Sequence, residues 1–198
     1  MSITIEDRAN PLLELLWIRE AYHLRPDGDD LPPLLLNPPT QRLTPPSSID
    51  GQSWTSAWPS LWAATVAHAG TELDPSLHER LSHTANGSRE RLDLLQRIVG
   101  TNWRDHFGPA ALDRDSYQEW NHAAFQAKLA SRPAGLGGNA LRRDLDAVVT
   151  AWRAGMNTII TIPCRDEYTR RVGDNALLIT EQTITTSDSF RRALAAFA

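Results

Sequence analysis

The sequence predicts an α+β fold: a mainly helical N-terminal two-thirds, then a helix–strand–strand–helix unit carrying a small antiparallel or mixed sheet. Three observations lead there. From Asn139 onward the apolar period changes from helical to alternating and back again. Eight of the thirteen prolines fall between Pro26 and Pro59, which bars a long helix or a central strand from that stretch. Between Pro59 and Pro133, capping residues alternate with apolar residues at helical spacing. The expected organisation is a mainly helical region over 1–134, with a proline-rich strap at 26–59. An α-β-β-α unit over 135–198 packs into the same globule.

The elements follow in order. Residues 11–24 read as a helix, with Pro11 at the first position and Leu12, Leu15, Leu16 and Arg19 at helical spacing. The strap is no free linker, because Leu31, Leu34, Leu35, Leu36 and Leu43 are interspersed with its prolines. It is expected to lie ordered across the core, with Leu34 and a neighbour buried. Trp54, Trp58 and Trp62 form a helical stripe interrupted by Pro59. A proline inside a helix costs about 3 kcal/mol and almost nothing at the first position, so the helix is expected to start at Pro59 and run to about His68. Trp54 then precedes the helix in a polar context and could be exposed.

Asp74-Pro75 opens a short helix ending before Asn86-Gly87. Ser88 caps another that Gly100 stops. Thr101–Gly108 is a turn carrying Trp103 and Phe107. Asp113 caps a helix with Tyr117, Trp120, Ala124 and Phe125 inward. Gly135–Gly138 is a hinge. Leu141, Leu145, Val148, Val149 and Trp152 share one face of the next helix, which Gly155 ends. Asn157–Pro163 and Ala176–Thr180 are strands, and Ser187 opens a last helix with Phe190, Leu194 and Phe197 on one face. Two strands alone are marginal. Ser2–Ile5 and Leu34–Leu36 are candidates for a third. The connection 164–174 exceeds a tight hairpin and suits an extra turn, a crossover or a functional loop.

At 198 residues, with 41% hydrophobic and 22% charged side chains, the chain has the composition of a soluble globular protein with a real core. No apolar run approaches the roughly 20 residues of a membrane span. The first residues lack the basic and apolar regions of a signal peptide, so a cytoplasmic location is expected. Residues 1–138 carry 12 basic and 17 acidic side chains and residues 139–198 carry 8 and 7, so neither part has the surplus that nucleic-acid binding needs. Lys128 is the only lysine beside nineteen arginines, a bias read as genomic background. A single cysteine excludes an internal disulfide framework and a multi-cysteine zinc site.

Several side-chain groups could carry chemistry. Gly135-Leu-Gly-Gly-Asn-Ala-Leu-Arg-Arg143 is a glycine-rich loop entering a helix, where free N–H groups attract an anion. Gly137, Gly138, Asn139, Arg142 and Arg143 are its candidate ligand-binding residues. It lacks both nucleotide fingerprints, and a hinge with Asn139 as N-cap is the plainer reading. Cys164 ends a strand, where a nucleophile could be presented, but a packed thiol is the ordinary role of such a cysteine. His78 and His83 are five apart, which misses the i, i+4 alignment of helical metal ligands. Asp144 and Asp146 read as a solvated face. Arg165, Arg170, Arg171, Arg191 and Arg192 form either an anion patch or internal salt bridges. No catalytic set, metal site or cofactor motif emerges.

Two function classes remain. The first is a non-enzymatic protein–protein interaction or adaptor module. The second is a small-ligand or anion-binding protein, or an enzyme, working at the Gly135–Arg143 loop or around Cys164. The expected partner is another protein or a second copy, with no membrane and no nucleic acid. Self-association through an open sheet edge is expected if neither predicted strand is covered.

Overall fold

A four-stranded mixed sheet organises the molecule. The computed structural model describes residues 2–7, 9–41, 43–44, 51–71, 74–130 and 140–197. Strands β1 (Thr4–Glu6), β2 (Thr158–Ile162), β3 (Thr169–Val172) and β4 (Ala176–Thr180) lie in the order β1-β2-β4-β3. β1, β2 and β4 are parallel, and β3 runs antiparallel to β4. The fold class is α+β, as the sequence predicts.

Of the antiparallel and mixed arrangements expected, the sheet is the mixed one. The two predicted strands are parallel neighbours, so the 164–174 connection is a crossover. The connection between them holds a further strand, β3, whose Thr-Arg-Arg-Val has no apolar run to betray it. Of the two candidates for a further strand, the one at residues 2–5 forms, shifted to Thr4–Glu6 as β1. The strap adds only a single bridge, Leu35 to Cys164, just beyond β2. β2 and β4 are therefore interior strands, and the open apolar edge expected on one of them does not exist.

Helices cover both faces. α1 (Asn10–Ala21), α2 (Gly51–Ala69), α3 (Ser76–His83), α4 (Arg89–Val99), α5 (Arg104–Phe107) and α6 (Arg114–Ala130) follow β1. α7 (Ala140–Arg143) and α8 (Leu145–Arg153) precede β2, and α9 (Glu181–Thr185) and α10 (Ser187–Ala195) follow β4. Ile160, Ile162, Ala176 and Leu178 join one core with α1, α2 and every tryptophan but Trp152. Ile159, Leu177 and Ile179 join the other, under Val148, Phe190, Leu194 and Phe197. Strands covered on both faces favour apolar residues at most positions, which is why β2 and β4 read as near-continuous apolar runs broken only by threonine.

α2 corrects the expected start at Pro59. The helix begins at Gly51 and Pro59 lies inside it. Burial explains why. Trp54, Trp58 and Trp62 are all buried, and the last two stack at 5.4 Å between ring centroids. Each buried indole is worth roughly 4–6 kcal/mol at 150–250 Å² and about 25 cal/mol/Å², which exceeds the proline cost of about 3 kcal/mol. Trp54 is thus not exposed. It packs edge-on to Tyr22 and against Phe107.

The caps behave as expected. Ser88 Oγ accepts from the Arg91 N–H at 3.1 Å, and Asp113 Oδ1 accepts from those of Asp115 and Ser116. Gly100 closes α4 at φ 74°, a conformation suited to glycine. Other positions are corrected. Leu34 and Leu36 are exposed and only Leu35 is buried, because the strap runs extended here and alternates its side chains. Phe125, Leu145 and Trp152 are exposed rather than inward. Asp144 is buried, not part of a solvated face. The hinge 135–138 and Asn139 lie outside the described residues.

Candidate functional site

The three parallel strands end at one place. Asp7 follows β1, Pro163 follows β2 and Glu181 follows β4, and all three line a single groove of about 660 Å³. Ligand sites in open sheets with parallel strands favour this position, outside the carboxyl ends. The start of α1 and the strap, through Asn10, Leu36 and Asn37, form one side of the groove. α6 forms the other, with Gln118, Trp120, Asn121, His122, Phe125 and Lys128. A smaller depression of about 380 Å³ adjoins it along α6 and shares Asn37, Trp120, Ala124 and Ala127.

Besides the Ser116 hydroxyl, which donates to Gln41 Oε1 at 2.9 Å, Trp120 and Lys128 anchor α6. Trp120 Nε1 donates to the Asn37 carbonyl at 2.6 Å, which fixes the helix to the strap. Lys128 Nζ donates to Glu181 Oε1 at 2.7 Å and Asp7 Oδ2 at 3.2 Å, which fixes it over two strand ends. Burial alone would lower the Lys128 pKa. The hydrogen bonds and charges of Glu181 and Asp7 outweigh that and hold it above the ordinary value. Lys128 is therefore a permanent cation, unsuited to act as a base or nucleophile near neutral pH. The carboxamides of Asn10, Asn37, Gln118 and Asn121 make no hydrogen bond among the described residues. His122 Nε2 lies 3.4 Å from Gln126.

The strap wall is itself anchored from within. Arg19 is 3% exposed, and its guanidinium donates to the carbonyls of Pro32 at 2.7 Å and Pro33 at 2.6 Å. The Leu36 N–H donates to the Pro163 carbonyl, and the Arg165 N–H to that of Leu34. These bonds extend the β2 direction past its end and set Leu36 and Asn37 at the groove mouth.

The residues singled out from the sequence lie elsewhere. Gly137, Gly138 and Asn139 fall outside the described residues. Arg142 is exposed. Arg143 is committed: its guanidinium meets Asp144 Oδ2 at 2.7 Å and the carbonyls of Thr185 and Ile184. Asp144 also bonds Ser187 and Arg191. Burial would raise the Asp144 pKa, but these partners together hold it below the ordinary value.

Cys164 is a buried thiol, and burial pushes its pKa up to about 12, which removes the thiolate a nucleophile needs. The arginine group is internally bonded. Arg170 meets Asp30 at 3.0 Å, Arg191 meets Asp146 at 2.5 Å and Arg192 meets Glu167 at 2.8 Å. Arg165 and Arg171 donate to the carbonyls of Leu35 and Phe197. Among the described residues, no group of three or more histidine, cysteine or carboxylate side chains is placed to hold a metal ion. No helix among them is long and apolar enough to cross a membrane.

Sequence reasoning missed the groove because its charged residues are far apart. Lys128 stands 121 positions from Asp7 and 53 from Glu181. The one available signal was the solitary lysine in an arginine chain. Compared with known proteins, the chain matches no family model, no curated sequence and no solved structure.

Proposed function

We propose that this protein binds a small polar molecule in the groove at the carboxyl ends of β1, β2 and β4. One observation carries the reading: three parallel strands each deliver a residue, Asp7, Pro163 and Glu181, to the same open cavity. Its volume lies within the roughly 300–1,000 Å³ of small-molecule sites. The fixed Lys128 cation favours binding over acid–base or covalent chemistry. A ligand-observed NMR screen against the native chain and an Ala127→Trp variant, which fills the groove from an exposed position, tests the reading. Binders should be found and lost in the variant. A screen whose every binder survives Ala127→Trp would sink it.

A second reading, the interaction module, is supported by Leu92, Leu95 and Val99, which stand exposed at helical spacing on α4. Anion binding at the 135–143 loop now leans on Arg142 alone among the described arginines there, since Arg143 is tied to α9.

A further inference from the structure

The hydrogen-bonding inventory of the groove narrows its ligand, given that the groove is a binding site. Among the described residues anions find little there: none of the described arginines lines it, and its one lysine already serves two carboxylates at 2.7 and 3.2 Å. Cations fare no better, because Asp7 and Glu181 share that ammonium and a new cation has to displace it. What remains uncommitted is a set of carboxamides. Asn10 comes from α1, Asn37 from the strap, and Gln118 and Asn121 from α6. A carboxamide offers donors and an acceptor side by side. Its best neutral complement is a group that donates and accepts at once, which is a hydroxyl.

The four carboxamide residues come from three elements and line one groove. That arrangement suits a ring of hydroxyls better than the linear donor–acceptor series of an extended peptide. We infer that the groove takes a neutral polyhydroxylated ligand, a sugar of one or two rings.

The test follows the side-chain amide NMR resonances of asparagine and glutamine in the full chain. The probes are glucose, maltose, cellobiose and diacetylchitobiose. Spermidine, ATP and a neutral tripeptide serve as the competing classes. At least one sugar should shift these resonances saturably, with Kd of about 1 mM or tighter. Gln118→Ala and Asn121→Ala, both at accessible positions of α6, should each weaken that binding, together by at least about tenfold. Arg142→Ala should leave it unchanged. Shifts produced by spermidine, ATP or the tripeptide but by no sugar would overturn the ligand class and leave the groove standing as a site. Sugar binding indifferent to Gln118→Ala and Asn121→Ala would also overturn it. Silence from every probe would remove both the ligand class and the site.

Discussion

Arg19 shows how much one side chain carries. It is buried, stands 5.1 Å from the Trp58 ring centroid, and splits its guanidinium between the Pro32 and Pro33 carbonyls. It also pairs with Glu20 at 3.1 Å. Arg19→Leu would leave two carbonyls without a donor and the Glu20 carboxylate with only the long bond from the Leu35 N–H at 3.4 Å, so a loss of about 3 kcal/mol or more is expected in urea unfolding. Arg19→Lys should recover only part, because an ammonium lacks the planar fork that reaches both carbonyls. Cys164 gives a pH signature. Its thiol rises from an ordinary 9.0 to about 12 on folding, so the native state keeps a proton that the unfolded state releases. That stability is fully present below about pH 9 and is lost as pH climbs toward 12. Thermal melts of the native chain and Cys164→Ala should therefore converge as pH rises through this window. Parallel curves would refute the shift. The plainer role for Cys164, a packed thiol, was readable from residue type. The burial of Asp144 was not, since its partners Ser187 and Arg191 lie 43 and 47 residues away.

Among the elements, α2 holds the clearest conflict between local and tertiary preference. Pro59 cannot donate the bond that would reach the Thr55 carbonyl, yet the helix continues through it. Pro59→Ala restores that donor without touching the buried tryptophans. It should raise stability by about 1–3 kcal/mol, read as a higher urea midpoint with an unchanged slope. No gain would mean that the proline ring itself packs productively. The same element shows what a sequence discloses. Caps at Ser88 and Asp113 and the apolar runs of β2 and β4 are written in adjacent residues and were legible. The start of α2 was not, because the indole burial that decides it depends on contacts with α1 and α5. β3 escaped for a related reason. At the sheet edge it needs no apolar run, and its arginines are held by Asp30 and the Phe197 carbonyl.

At the scale of the molecule, the groove exists only after the chain closes β1 against β2 across some 150 residues. No local pattern announces it. The same closure decides how copies of the chain meet. The apolar strands β2 and β4 are interior, and the sheet ends in two blunted edges. β1 is only three residues long, and β3 presents Arg170 and Arg171. Short strands and charge are the usual means of keeping an edge from pairing with another sheet. Association through the sheet is therefore not expected, and native protein should sediment near its 22.1 kDa chain mass at micromolar concentration. Among the described residues, the exposed stripe of Leu92, Leu95 and Val99 on α4 is one apolar surface open to any larger species. Should a concentration-dependent dimer appear, Leu92→Glu should disperse it, while Arg171→Glu at the β3 edge should not. A dimer that Arg171→Glu breaks and Leu92→Glu spares would return assembly to the sheet edge and contradict the reading of β3 as a guarded strand.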